Sequence, residues 1–249
     1  MILSPTMPRA PGNASSSLLQ VDGLSKRFGD YQALADIAFE INAGEIMGVI
    51  GPNGAGKTTL LECLAGLLPS DAGSVVRRGA LLQDHHRKRE LFYLPDAMAP
   101  YPGQCVQDVL SYYGACFSSS SARLHELSEA LSLSDVAWKR VGELSKGYRR
   151  RLLLLIALLS PAPLLLLDEP FDGLDPHKVR DVIAILRREA SDGRTLLLSI
   201  HQLTDAERIC DRFVLLVDGR IRGQGTLDEL RTQAGVAGGG LEEVFFALT

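Results

Sequence analysis

The sequence predicts an α/β protein: a mostly parallel sheet, an antiparallel β layer ahead of it and a helical insertion within it. Three observations lead there. Residues 51–59 form a glycine-rich loop between an apolar strand pattern and a helical one. Beyond residue 160, strand and helix patterns alternate as they do in parallel-sheet units. Between these, over about residues 97–160, the periodicity is helical with serine-rich breaks.

Along the chain, residues 1–17 carry Pro, Ser and Gly without a basic start and apolar block, so a loose tail is expected rather than a secretion signal. Residues 18–28 and 31–41 alternate as two strands of a hairpin turning at Gly29-Asp30. The apolar run 45–50 predicts a buried strand and 58–67 a helix. Short strands are expected at 77–82 and 91–94, with a charged loop or turn over 85–90. The insertion predicts helices over 106–116, 123–131, 134–139 and 149–159, broken by the serine run 118–121 and by Ser132. Then follow a strand over 164–168, a helix over 176–190, a strand over 195–200 and a helix over 204–210. Residues 212–217 and 220–225 flank Asp218-Gly219, a two-residue hairpin signal. Helices over 227–233 and 241–248, separated by the Gly-rich stretch 235–240, close the chain. No internal repeat is present.

The 51–59 loop reads Gly51, Pro52, Asn53, Gly54, Ala55, Gly56, Lys57, Thr58, Thr59, the G-x-x-x-x-G-K-[ST] pattern. Glycines let the backbone turn its amides toward an anion, Lys57 reaches β- and γ-phosphates, and the Thr58 hydroxyl suits Mg²⁺. The helix that follows aims its N-terminal partial positive charge at the same place. A P-loop NTPase core is therefore predicted. The run 164–167 delivers Asp168 and Glu169 to the C-terminal end of a buried strand, where open α/β sheets bind ligands. Asp168 is expected to hold Mg²⁺ and Glu169 to polarise the attacking water.

Composition bounds the function. The chain has 249 residues, 46% hydrophobic and 22% charged, enough for a substantial core. With 26 Lys and Arg against 30 Asp and Glu, the net charge of −4 argues against nucleic acid as the main partner. Cys63, Cys105, Cys116 and Cys210 form no C-x-x-C pair and suit reduced thiols in cytosol. The most apolar segment, 152–167, is interrupted by Ser160, Pro161 and Pro163 and falls short of the ~20 residues a membrane span needs. A membrane role requires a partner chain.

Over about residues 18–232 the chain resembles the nucleotide-binding subunits of ATP-binding cassette (ABC) transporters. Besides the Walker A loop (51–59) and the Walker B strand (164–169), residues 144–148, Leu-Ser-Lys-Gly-Tyr, are similar to the family's LSGGQ signature, and 173–176 to its D-loop. His201 resembles the switch histidine and Phe28 the aromatic that stacks on adenine. The resemblance implies ATP and Mg²⁺ as ligands. It implies catalytic roles for Glu169 and His201, nucleotide contacts from Phe28, the 51–59 loop, Asp96, Ser145, Gly147 and Asp175, and metal contacts from Thr58, Asp96 and Asp168. It also implies a cytoplasmic subunit, peripheral on the inner face of the cell membrane. An integral membrane permease and a second nucleotide-binding subunit, by default another copy of the chain, are the implied partners, because the signature caps ATP held by the opposite subunit.

Two motifs depart from the family pattern. Asp96 stands where the family has its Q-loop glutamine, and Lys146 and Tyr148 replace a glycine and a glutamine of the signature. Both forms, with the ending 241–249, resemble a subset serving separate, often exporting, membrane subunits. A soluble cassette ATPase, for example in Fe–S assembly, is the alternative. DNA-repair relatives need coiled-coil insertions for which there is no room, and translation-factor relatives carry two cassettes. A nucleotide kinase finds no support in the signature segment.

Overall fold

The computed structural model describes residues 17–82, 87 and 89–249. The tail reading falls outside these residues except for Ser17, which opens the first strand. Among the described residues, ten strands form two sheets. β1 (Ser17–Phe28), β2 (Tyr31–Asn42), β4 (Ala72–Arg77) and β5 (Ala80–Leu81) make an antiparallel sheet in the order β2-β1-β4-β5. β3 (Ile46–Ile50), β6 (Leu91–Leu94), β7 (Leu164–Asp168), β8 (Thr195–Ile200), β9 (Arg212–Val217) and β10 (Arg220–Gly225) make the second, in the order β10-β9-β3-β8-β7-β6. All its pairings are parallel except β9 with β10. The predicted α/β class, with its parallel core and antiparallel β layer, is what the chain adopts.

The continuous apolar strands follow from burial on both faces. Met47, Val49, Leu164, Leu166 and Leu197 pack toward the antiparallel sheet and α1 (Lys57–Ala65). Ile46, Ile50, Leu165, Leu167 and Leu198 belong to a second cluster with the remaining helices. Fully burying each such side chain contributes about 1.5–3 kcal/mol. α2 (Val106–Cys116), α3 (Ser121–Ala130) and α4 (Lys146–Leu159) share that second cluster, so the helical segment is cored together with the sheet. α5 (Pro176–Ser191), α6 (Leu203–Ile209), α7 (Leu227–Ala234) and α8 (Leu241–Leu248) complete the chain.

Four local expectations are corrected. The strand expected over 77–82 is the turn of a hairpin: Arg78 (φ 46°) and Gly79 (φ 80°) reverse the chain between β4 and β5. The helix expected over 134–139 is a single 3₁₀ turn, Ser134–Val136. Ser121 lies inside α3 rather than before it, because the Ser120 hydroxyl caps the helix by accepting from the Arg123 amide. In the stretch 85–90, Arg87, Arg89 and Glu90 are helical, not loop. Arg87 is buried and donates to the Cys63 and Leu64 carbonyls at the end of α1, where a cation complements the helix dipole.

All four cysteines are free. Burial pushes the Cys63 thiol up to about 11 and raises that of Cys210 further, which disfavours the thiolate form of both.

Candidate active site

The parallel register places three strand ends level, pairing Ile50 with Ile200 and Asp168 with Ser199. Past β3 the chain enters the 51–56 loop. Gly54 (φ 82°) and Gly56 (φ 104°) adopt left-handed backbone, which a side chain would strain. At Gly51 the constraint is space, since a Cβ there would lie 2.0 Å from the Leu216 carbonyl oxygen. The Ala55 carbonyl accepts from the Gly219 amide at 3.1 Å, so the β9–β10 turn supports the loop from below. Asp218 (φ 50°) and Gly219 (φ 67°) give that turn the doubly left-handed form that Asp-Gly favours. Gly56 caps α1 without a side-chain hydrogen bond, leaving the first-turn amides free of a side-chain acceptor. Pro52 and Asn53 are exposed on the loop and Thr59 is half-buried in α1.

Lys57, only 7% exposed, donates to the Gly51 carbonyl at 2.8 Å and the Pro52 carbonyl at 3.2 Å, and lies 3.7 Å from Glu169 Oε1. Thr58 Oγ1 donates to Asp168 Oδ2 at 2.8 Å. Asp168 is 1% exposed, and its carboxylate also accepts from the Ser199 and Tyr93 hydroxyls. Burial, and then the Asp168 carboxylate itself, drive the Tyr93 phenol well above its ordinary range, so it stays a donor. Glu169 has a left-handed backbone (φ 49°), a strained conformation held by its amide donating to the Ser199 carbonyl at 3.2 Å and hydroxyl at 3.0 Å. His201 Nδ1 lies 2.6 Å from Glu169 Oε2. A carboxylate accepts, so Nδ1 donates and Nε2 is left for another partner.

The structure thus brings together Lys57, Thr58, Asp168, Glu169 and His201 from three segments of the chain. Phe28 ends β1 half-exposed, with Lys26 Nζ 5.7 Å from its ring centre. Ser145, Gly147 and Asp175 form a separate group. The Ser145 hydroxyl caps α4 by accepting from the Tyr148 amide, and a Cβ on Gly147 would approach the Gly173 carbonyl oxygen to 2.9 Å. Lys146 pairs with Asp172 at 2.6 Å, and that hydrogen bond holds the Asp172 carboxyl below its usual range. Asp175 caps α5, where the Lys178 amide, with that of His177, likewise lowers its carboxyl. The Asp96 carboxylate pairs with Arg150, and no hydrogen bond joins it to Thr58 or Asp168.

Sequence reasoning missed Ser199, Tyr93, Tyr31 and Arg150. Tyr31 is cross-strand from Phe28, and its hydroxyl donates to the Gly54 carbonyl at 3.3 Å. Ser199 carried a usable signal, because a polar residue near the end of a buried apolar strand must find a partner.

Thr58 and Asp168 offer oxygens suited to Mg²⁺. Among the described residues no group of three or more His, Cys, Asp or Glu could hold a metal. A Mg²⁺ that arrives with a nucleotide needs only one or two protein oxygens, because phosphates supply others.

Residues 34–172 match a family model described as ABC transporter. The Nod factor export ATP-binding protein I of Ralstonia nicotianae is 36% identical over 231 residues, 90% of this chain and 72% of that protein. The ABC-type transporter ATP-binding protein EcsA of Bacillus subtilis is 30% identical over 239 residues, 94% of this chain and 97% of that protein. A solved ATP-binding subunit of an ABC transporter superposes with a TM-score of 0.84 at 32% identity, covering 93% of this chain and 99% of that one. A nucleotide-free ATP-binding cassette reaches 0.76 at 21% identity over 92% and 98%, a likeness that speaks for the fold alone.

Proposed function

Because the chain belongs to the ABC transporter family, as one of its ATP-binding, ATP-hydrolysing subunits, we propose that two copies close around two ATP molecules and drive a separate membrane-spanning permease. The observation that carries this reading is the convergence on Glu169 and Asp168 of Lys57, Thr58, Ser199 and His201. In the proposed cycle the loop amides and the start of α1 hold the phosphates. Lys57 transfers from Glu169 to the β- and γ-phosphates, which frees Glu169 Oε1 to accept from the attacking water. His201, fixed through Nδ1, turns Nε2 toward the γ-phosphate. Asp168 and Thr58 would hold Mg²⁺, which would supply positive charge to the phosphate oxygens. Phe28 offers its face to adenine.

Ser145 and Gly147 make no hydrogen bond with Lys57 in one chain, which suits a head-to-tail pair in which each chain completes the other's site across a two-fold axis. Asp175, as the D-loop residue, lies at the same boundary. For the permease, a groove of about 280 Å³ lined by Met98, Pro100, Tyr101, Gln104, Tyr112 and Tyr113, which starts two residues after Asp96 in the chain, offers an aromatic seat. No helix among the described residues is long and apolar enough to cross a membrane, and the proposal assigns the span to the partner, at the inner face of the cell membrane. The relatives named for Nod factor export favour export as the direction.

Size-exclusion chromatography of a Glu169→Gln variant with Mg-ATP tests the pairing: a shift to twice the mass is expected, and a monomer at every protein concentration overturns it. Purification from solubilised membranes tests the partner, which should be a polytopic apolar chain; recovery with soluble proteins alone removes the transport reading.

A further inference from the structure

Lys146 and Arg150 stand four residues apart on one face of α4. Each ends on an aspartate from a different connection, Lys146 on Asp172 beyond β7 and Arg150 on Asp96 beyond β6. Their settings differ, since the Lys146 side chain is 63% exposed and that of Arg150 is 4% exposed. A guanidinium at that depth is tolerated only where its donors are answered. Arg150 Nη1 donates to the Asp168 carbonyl at 3.4 Å, and Nη2 donates to the Asp96 carbonyl at 3.3 Å and to Asp96 Oδ1. One buried cation therefore ties three segments together: the end of β7, the turn after β6, and the helix capped by Ser145.

We propose that Asp96 is a positioning residue rather than a metal ligand, and that its ion pair with Arg150 fixes the start of α4, with Ser145 and Gly147, relative to the Asp168–Glu169 end of β7. The inference rests on the ATPase reading and adds how the carboxylate end of the site is held in register with the signature segment. No hydrogen bond or ion pair links Asp96 or Arg150 to the 51–56 loop, Lys57 or Thr58. Capture of nucleotide by one chain is therefore insensitive to the pair, whereas steps that need Ser145 and Gly147 in place are not. Asp96→Gln leaves a buried cation with two neutral carbonyls, and Arg150→Gln releases the half-exposed carboxylate to water. Replacing both leaves two amides able to bond each other.

The test compares the parent with Asp96→Gln, Arg150→Gln and the double variant. It measures binding of a fluorescent ATP analogue, steady-state ATPase against Mg²⁺ concentration, and amide hydrogen exchange over residues 146–152 without nucleotide. Each single variant should bind the analogue within about twofold of the parent, turn over roughly tenfold slower, and exchange faster at the start of α4; the double should return to within about threefold of the parent on each count. A double variant equal to the product of the singles overturns the proposal. So does a raised Mg²⁺ requirement in Asp96→Gln that Arg150→Gln does not share, which makes Asp96 a metal contact. If Arg150→Gln fails to fold, Arg150→Lys keeps the charge without the fork and should lie between parent and Asp96→Gln in exchange. A parent without ATPase activity removes the ATPase reading, while the exchange data still decide whether the pair holds α4.

Discussion

The phosphate-loop end of the molecule and the signature end are held in opposite ways. At the first, Lys57 and Asp168 are buried, and side chains meet partners from other segments of the chain: Thr58 on Asp168, Ser199 on Asp168, His201 on Glu169. At the second, Ser145 and Lys146 are exposed, and their contacts, to the Tyr148 amide and to Asp172, lie at the surface. Buried polar groups are costly when a partner is lost, and exposed pairs contribute little. The first end is thus braced within one chain, so damage there costs stability together with chemistry. The second presents its chemistry outward, so damage there should spare folding.

The contrast can be broken or sharpened by graded substitutions. The largest effect is expected at Glu169→Gln, whose ATP turnover should fall about 10²–10⁴-fold with nucleotide binding retained, as measured by phosphate release and equilibrium binding. Retained turnover would dissolve the assignment of the first end as the chemical one. Gly51→Ala forces a Cβ against the Leu216 carbonyl; denaturant unfolding should register a loss of about 1–3 kcal/mol along with weakened nucleotide binding. Ser199→Ala removes a donor to buried Asp168 and an acceptor for the Glu169 amide, with an expected loss of roughly 1–3 kcal/mol by the same measurement. The smallest effect belongs to Lys146→Met, because that side chain is 63% exposed; stability at neutral pH should move by less than about 1 kcal/mol. Its pH dependence has a sign. Asp172 has a lowered folded pKa, so its contribution is present above the ordinary value near ~3.9 and is lost as pH falls through the folded value. Parent and variant should therefore converge in acid and differ at neutral pH in an unfolding series. A difference that grows in acid contradicts the Lys146–Asp172 pairing.

The same contrast explains what the sequence made legible. β3, β7 and β8 stand out because burial on both faces leaves runs of apolar residues, and α2 because its apolar spacing coincides with its bounds. The 51–59 loop is a local pattern whose chemistry is written in nine consecutive residues. Asp96 with Arg150, or Ser199 with Asp168, is a contact across tens of residues, and no local period marks it. Residues 77–82 misled because alternation does not reveal the reversal at Arg78-Gly79. Residues 134–139 misled because an apolar period of helical type cannot tell one 3₁₀ turn from several α turns.

The support that the β9–β10 turn gives to Ala55 has a consequence for synthesis. A ribosome completes the nine-residue loop about 160 residues before the turn that shapes its underside, at Leu216 to Gly219, has been made. Nascent chains that have not reached Gly219 carry the motif without its scaffold, so ATP is expected to serve as a stabilising ligand only after that turn has emerged.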